Sequence, residues 1–215
     1  MLKKIYIVLS VLLIVFILPA AVIGTINADK THWTRKDIDD KTIIPLPHSI
    51  STIKEGLPFA NKRASEWRKD AELSYVVVRF EGKDAIKNRK GVIAYRYYVK
   101  NKSLIGLPHA VCYVEIDLDK QSIVRFQAYG SDKLDDTMIN IAKWNLDLDD
   151  VFGVVEKQLD SNVIDKHSKP IVVIRAFEDF WHFAIFPSPD SHGEELLVVI
   201  DPVTKEIKRI DNKSK

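Results

Sequence analysis

The sequence predicts an α+β protein: an N-terminal apolar helix, then two tandem units, each a helix packed on a small antiparallel sheet. Three observations carry this. A lysine-led apolar run opens the chain, the order helix-then-strands occurs twice, and the second set of strands repeats residues of the first. The 215 residues, 46% hydrophobic and 29% charged, allow one large domain or two small ones with a real core. That balance excludes a disordered chain, a collagen-like chain and a multi-span membrane protein. The single cysteine excludes an intrachain disulfide framework and a Cys-rich zinc site.

Lys3 and Lys4 precede an apolar run, Ile5 to Ile23, broken only by Ser10 and Pro19. At ~1.5 Å per helical residue this run reaches about 28 Å, enough for a bilayer's hydrocarbon core. Two readings stand open. An uncleaved single-span anchor is the favoured one. A cleaved signal peptide, with Ile5–Leu18 as its apolar region and Pro19 ending it, is the other. Neither Ala28, with Ile26 at its −3 position, nor Gly24, with Val22, gives an Ala-x-Ala site. Both readings put the remainder outside the cytoplasmic membrane, with Lys3 and Lys4 inside. These lysines are the only charges before Asp29, so taking two from 32 leaves 30 basic against 30 acidic groups. The exported part is neutral, and no nucleic-acid partner is expected. Membrane contact is expected through residues 5–23 alone.

Residues 29–56 lack a sustained period and contain Pro45-Leu46-Pro47, which favours an extended stalk. From Leu57, the spacing of Ala60, Ala64, Trp67 and Ala71 predicts an amphipathic helix. Strand patterns follow at Ser74–Glu81, Val92–Lys100, from Val111 to Leu118, and at Ile123–Ala128. The first unit therefore occupies 57–130, and 131–215 repeats its order. There Asp147 is the candidate N-cap of a helix striped by Leu148, Val151, Phe152, Val155 and Leu159. Strands are predicted at Ile171–Phe177, Phe180–Phe186, Leu196–Ile200 and Glu206–Ile210, the last two joined by a turn at Asp201-Pro202.

The two halves share residues as well as order. A shift of 84 lays Val114, Ile116, Asp117, Ile123 and Arg125 on Val198, Ile200, Asp201, Ile207 and Arg209. A shift of 96 lays Val76, Val77 and Arg79 on Val172, Val173 and Arg175. Strand propensity explains matched Val and Ile, but not matched Asp and Arg. An internal duplication is the reading we adopt.

The stretch Ile141–Phe152 (IAKWNLDLDDVF), two strands, then Val199–Ile207 (VIDPVTKEI), resembles the PepSY-like domains of exported bacterial proteins. Ala64, Trp67, Asp70, Ala71 and Leu73 resemble them more weakly. The likeness covers about 57–211, best over 140–211, with Lys205 where the family usually has Gly and Leu118 where it has Pro. It implies a cystatin-like helix on a small sheet, and a binding or peptidase-restraining module of the cell envelope without a cofactor. Its motif determines a turn and a cap, so it speaks to architecture more than to activity.

Chemistry leaves few traces. The six histidines form no His-x-x-x-His or His-Glu-x-x-His. Glu178, Asp179 and His182, with His192, Glu194 and Glu195 on the next loop, are the densest polar group. A metal site would need His182, His192 and a carboxylate such as Glu194 to converge; otherwise Glu178 and Asp179 are a hairpin turn. No Gly-x-Ser-x-Gly elbow or Gly-rich phosphate loop occurs. Cys112 reads as a buried strand residue, with an interchain disulfide as the alternative. Asp135-Asp136 and Asp149-Asp150 read as solvated or capping charges. Trp67 and Trp144 read as core or junction residues. Tyr95, Tyr97, Phe180 and Phe183 are core or, alternatively, line a groove, and a Tyr/Phe cluster on an exposed sheet face would mark a partner site.

No catalytic, cofactor or firm metal residue is assigned. We expect a non-enzymatic envelope protein acting by protein–protein binding, through restraint of a peptidase or support of an envelope complex. A metal-dependent hydrolase with a site near His182 and His192, and a structural spacer or scaffold subunit, are the alternatives.

Overall fold

A computed structural model describes residues 37–100, 109–131, 138–157 and 164–213. The predicted anchor or signal at 1–28 lies outside them, as does Asp135-Asp136. Among the described residues no helix is long and apolar enough to cross a membrane.

The elements run β1 (Ile38–Asp40), β2 (Ile44–Pro45), α1 (Ile53–Trp67), β3 (Glu72–Glu81), α2 (Lys83–Lys87), β4 (Val92–Val99), β5 (His109–Asp117), β6 (Ser122–Ser131), a 3-10 turn (Ile141–Lys143), α3 (Leu148–Glu156), β7 (Ile171–Ala176), β8 (Trp181–Phe186), β9 (Leu196–Ile200) and β10 (Ile207–Asn212). Thr52 caps α1 through a capping box with Glu55, and Asp147 caps α3 through one with Asp150. Part of the expected stalk is therefore strand, and α1 starts four residues before Leu57.

The expectation of two helix-on-small-sheet units is wrong. The strands form one ten-stranded antiparallel sheet in the order β1-β6-β5-β4-β3-β7-β8-β9-β10, with β2 also on β6. The merger occurs where β3 pairs with β7. Each is the first long strand of its half, rich in β-branched residues, and each would otherwise leave an open apolar edge. Val76 lies opposite Ala176 and Phe80 opposite Val172, with Val78 opposite Ile174 between them. The 96-residue shift carries Val76 to Val172, Val78 to Ile174 and Phe80 to Ala176, so a local two-fold axis passes through the Val78–Ile174 pair.

The positions matched by the 84-residue shift also share backbone detail. Asp117 accepts hydrogen bonds from the Asp119 and Lys120 N–H groups at 2.9 and 3.0 Å. Asp201 accepts them from Val203 and Thr204, both at 2.9 Å. Gln121 and Lys205, matched by the 84-residue shift, both hold positive φ, at 51° and 63°. Val124 and Lys208, also matched, are both skipped in the strand register.

Helices α1 and α3 cover one face. Beneath them lie Val76, Val78, Phe80, Ile93, Tyr95, Tyr97, Cys112 and Val114 from the first half. Val172, Ile174, Trp181, Phe183, Val198 and Ile200 continue the same layer in the second. Phe152 of α3 meets Phe80 and Phe183 edge-on at 5.4 and 5.5 Å, bridging the halves. The Asp147 carboxylate ties them further, accepting from Leu148 N–H at 2.8 Å and from Ile53 N–H of α1 at 3.0 Å.

Candidate protein-binding face

Side chains in a strand alternate, so the phase opposite to this core points to the face that neither α1 nor α3 covers. Register places Tyr75, Arg96, Tyr113 and Gln127 in one row across β3, β4, β5 and β6. The Tyr75 and Tyr113 hydroxyls meet at 3.1 Å across β4, and the Arg96 guanidinium lies 4.9 Å from the Tyr75 ring centre. Tyr113 stacks with Tyr129 at 6.1 Å. Burial pushes the Tyr129 hydroxyl up to about 12, with the Tyr113 hydrogen bond adding to the effect.

The belt continues into the second half. Tyr75 meets Phe177 at 5.6 Å, and Phe177 meets Phe180 at 4.8 Å and His182 at 5.8 Å. From Tyr129 on β6 to His182 on β8 the belt crosses five inter-strand spacings of ~4.8 Å, about 24 Å in all. Tyr75, Tyr113, Tyr129, Phe177 and His182 are half-buried, and Phe180 is 38% exposed. Arg175 and Arg209 flank the His182 end; burial first, then repulsion from both, holds its imidazole below the usual value.

Of the aromatic candidates, Phe180 belongs to this belt. Tyr95, Tyr97 and Phe183 are core: the Tyr95 hydroxyl donates to Ile53 O at 2.7 Å and that of Tyr97 to Asn61 at 2.7 Å. Trp144 is buried edge-on against Trp181 at 4.9 Å, and Trp67 packs on Phe126 at 6.0 Å. Cys112 is fully buried on the helix-covered face, which pushes its thiol up to about 12 and removes it from disulfide exchange between chains.

The metal candidates are not brought together. His182 stacks with Phe180 at 4.8 Å on β8, His192 is exposed in the following loop, and Glu194 pairs with Lys213 at 2.7 Å. Among the described residues no group of three His, Cys, Asp or Glu side chains is disposed to hold a metal. Glu178 accepts from Lys143 Nζ at 2.5 Å and from Asn140 N–H at 2.6 Å. Burial opposes its ionisation, but these partners outweigh it and leave the carboxyl below its usual range. Glu178 is a tie between the β7–β8 turn and the approach to α3.

Tyr75, Arg96, Tyr113, Tyr129 and Phe177 were absent from the sequence candidates. Their signal was strand phase: each occupies the position alternate to the residues that face the helices, such as Val76, Tyr95, Tyr97, Cys112 and Ala176. A groove of about 820 Å³ also runs between α1 and residues 138–142, lined by Leu57, Ala71, Leu73 and Ile139 over the Tyr97–Asn61 pair. At its rim, Lys54 Nζ donates to Trp144 O at 2.6 Å.

Comparison with known proteins finds no matching family model, no matching curated protein and no matching solved structure.

Proposed function

We propose that the chain is a non-enzymatic cell-envelope protein, tethered or exported by its N-terminal segment, whose sheet binds a protein partner. The observation that carries this reading is the half-buried ring belt on the sheet face opposite α1 and α3. A half-buried row of Tyr, Phe and His with interspersed Arg has the composition of an interface centre, rich in aromatic residues and arginine. Hydroxyls bonded to each other and rings packed on one another make the row rigid, so little side-chain entropy is lost on docking. The likeness of residues 140–211 to PepSY-like modules supports the same class of role, with a peptidase as the first partner to test.

Phe180→Asp in the full-length chain is the direct test. The side chain is exposed enough for the fold to accept a carboxylate there, so protein level should match wild type. Binding through a ring of this kind is worth about 2 kcal/mol, so partner affinity should fall about thirtyfold and the variant should fail to complement a deletion. Full complementation by Phe180→Asp would favour the spacer reading instead.

A further inference from the structure

Among the described residues, arginines are engaged almost without exception. Arg79 pairs with Glu81 at 2.6 Å, Arg125 with Asp39 at 2.7 Å and Arg209 with Asp211 at 2.9 Å. Arg96 donates to Ser74 Oγ at 2.9 Å, and Arg63, Arg68 and Arg89 are each paired with a carboxylate. Arg175 is the exception: among these residues no acid or other acceptor engages it. It is exposed on β7, two residues before Phe177 and so on the same face as the ring belt.

Its neighbours offer no partner. Register sets Arg175 between Val77 of β3 and His182 of β8, and Val199 then separates His182 from Arg209. In the other direction the row runs through Val77 and Ala94 to Glu115, three strand spacings or about 14 Å away. Glu115 already faces Arg125 at 3.7 Å. Glu194 feels the charge of Arg175, yet Lys213 Nζ holds its carboxylate at 2.7 Å. Glu178 and Asp179 of the β7–β8 turn act on Lys143 instead. An arginine directly opposite a histidine, with a second arginine beyond, contributes no attraction to the sheet. The guanidinium thus stands at the Phe180 end of the belt with its hydrogen-bonding fork unused.

We propose that Arg175 receives an Asp or Glu carboxylate of the protein partner, from a segment whose apolar side chains pack on Phe177 and Phe180. This rests on the belt being the partner site, and it names the chemistry which that site selects. A guanidinium takes a carboxylate through two parallel N–H···O bonds, and rings beside the pair keep water from it. Charge complementarity favours an acidic segment. The field at this corner is positive, since Arg175 and Arg209, after burial, hold the His182 imidazole below its usual value. The adjoining acids Asp211 and Glu194 are each neutralised by a cation of this chain. A basic segment would meet Arg175 with nothing to offset the repulsion.

One arm of the test needs no partner. Arg175→Gln removes a like charge opposite His182, so the urea midpoint of the full-length chain should hold or rise. A lower midpoint would reveal an acceptor within the chain and overturn the proposal. The other arm treats native cells carrying full-length Arg175→Lys with a carbodiimide, which joins an amine to a carboxylate in contact with it. Mass spectrometry should find an amide between position 175 and an Asp or Glu of another protein. In parallel, Arg175→Glu should lower partner capture by a photo-crosslinking residue at Phe180 about tenfold. An amide to Glu194 of the same chain, no amide from position 175, or undiminished capture with Arg175→Glu would overturn the proposal and leave the belt as the partner site. No capture from position 180 with Arg175 intact would overturn both.

Discussion

Asp147 concentrates much of this molecule's logic in one carboxylate. It caps its own helix and also meets the Ile53 N–H at the start of α1, so the positive ends of two helices share one acceptor. Asp147→Ala removes the acceptor from both and should cost about 2 kcal/mol in urea melts at neutral pH. Its pH behaviour has an unusual sign. Burial raises its carboxyl above the ordinary 3.8, although the N–H groups of Ile53, Leu148 and Lys54 pull the other way. A raised carboxyl carries a penalty while ionised, and that penalty fades as pH falls through the folded-state value. Asp150 and Glu178, both held low, do the opposite, and their stabilisation is lost on acidification. Asp147→Asn removes the offset, so stability measured from about pH 5 to pH 4 should fall more steeply than in wild type. An unchanged slope would show that Asp147 titrates as it does in the unfolded chain. The cap on α3 was legible in the sequence. The second cap was not, because 94 residues separate Asp147 from Ile53 and only the fold brings them together.

At the scale of elements, α1 is fitted to the sheet by a missing side chain. A Cβ at Gly56 would stand 2.3 Å from the Tyr95 hydroxyl oxygen, the group that donates to Ile53 O. Inside a helix, Gly→Ala usually adds about 1 kcal/mol, yet here overpacking should reverse the sign and cost about 1–3 kcal/mol. Removing the hydroxyl as well, with Tyr95→Phe, should recover part of that loss. Strictly additive costs in a double-mutant cycle would count against this fit. Helix stripes and strand phases were readable because periodicities of 3.6 and 2 are local properties of the chain. The strands β1 and β2 were not readable. They hold three and two residues, Ile-Asp-Asp and Ile-Pro, with no alternation to detect, and they exist because the edge of β6 holds them. Lys205, the departure from the Gly expected at its turn, tolerates φ of 63° just as Gln121 tolerates 51° at the matching place. The turn is thus set by Asp117 and Asp201 collecting N–H groups more than by a glycine.

Across the whole molecule, the two halves do not stand as separate sheets. They pair β3 with β7 about a local two-fold and become one surface. The sequence carried a sign of this in Tyr75–Val78 and Ile171–Ile174, whose apolar residues fill both phases, as strands between two neighbours do. Which neighbours they take is a tertiary fact. The same merger creates the candidate site. Tyr129, Tyr113 and Tyr75 from one half and Phe177, Phe180 and His182 from the other form a single belt only because the sheet is continuous. Phe180 was visible in advance as an aromatic able to line a groove, whereas its companions emerge only when strand order is known. The binding proposed above therefore concerns one face: we propose that this sheet side, and not the helix side, meets a protein partner. A photo-crosslinking residue placed at Phe180 of the full-length chain in its native cells, with Asn61 on α1 as the comparison, tests it directly. A discrete adduct with another protein from position 180 and none from position 61 is the expected result; an adduct from 61 alone, or none from 180, would contradict the account.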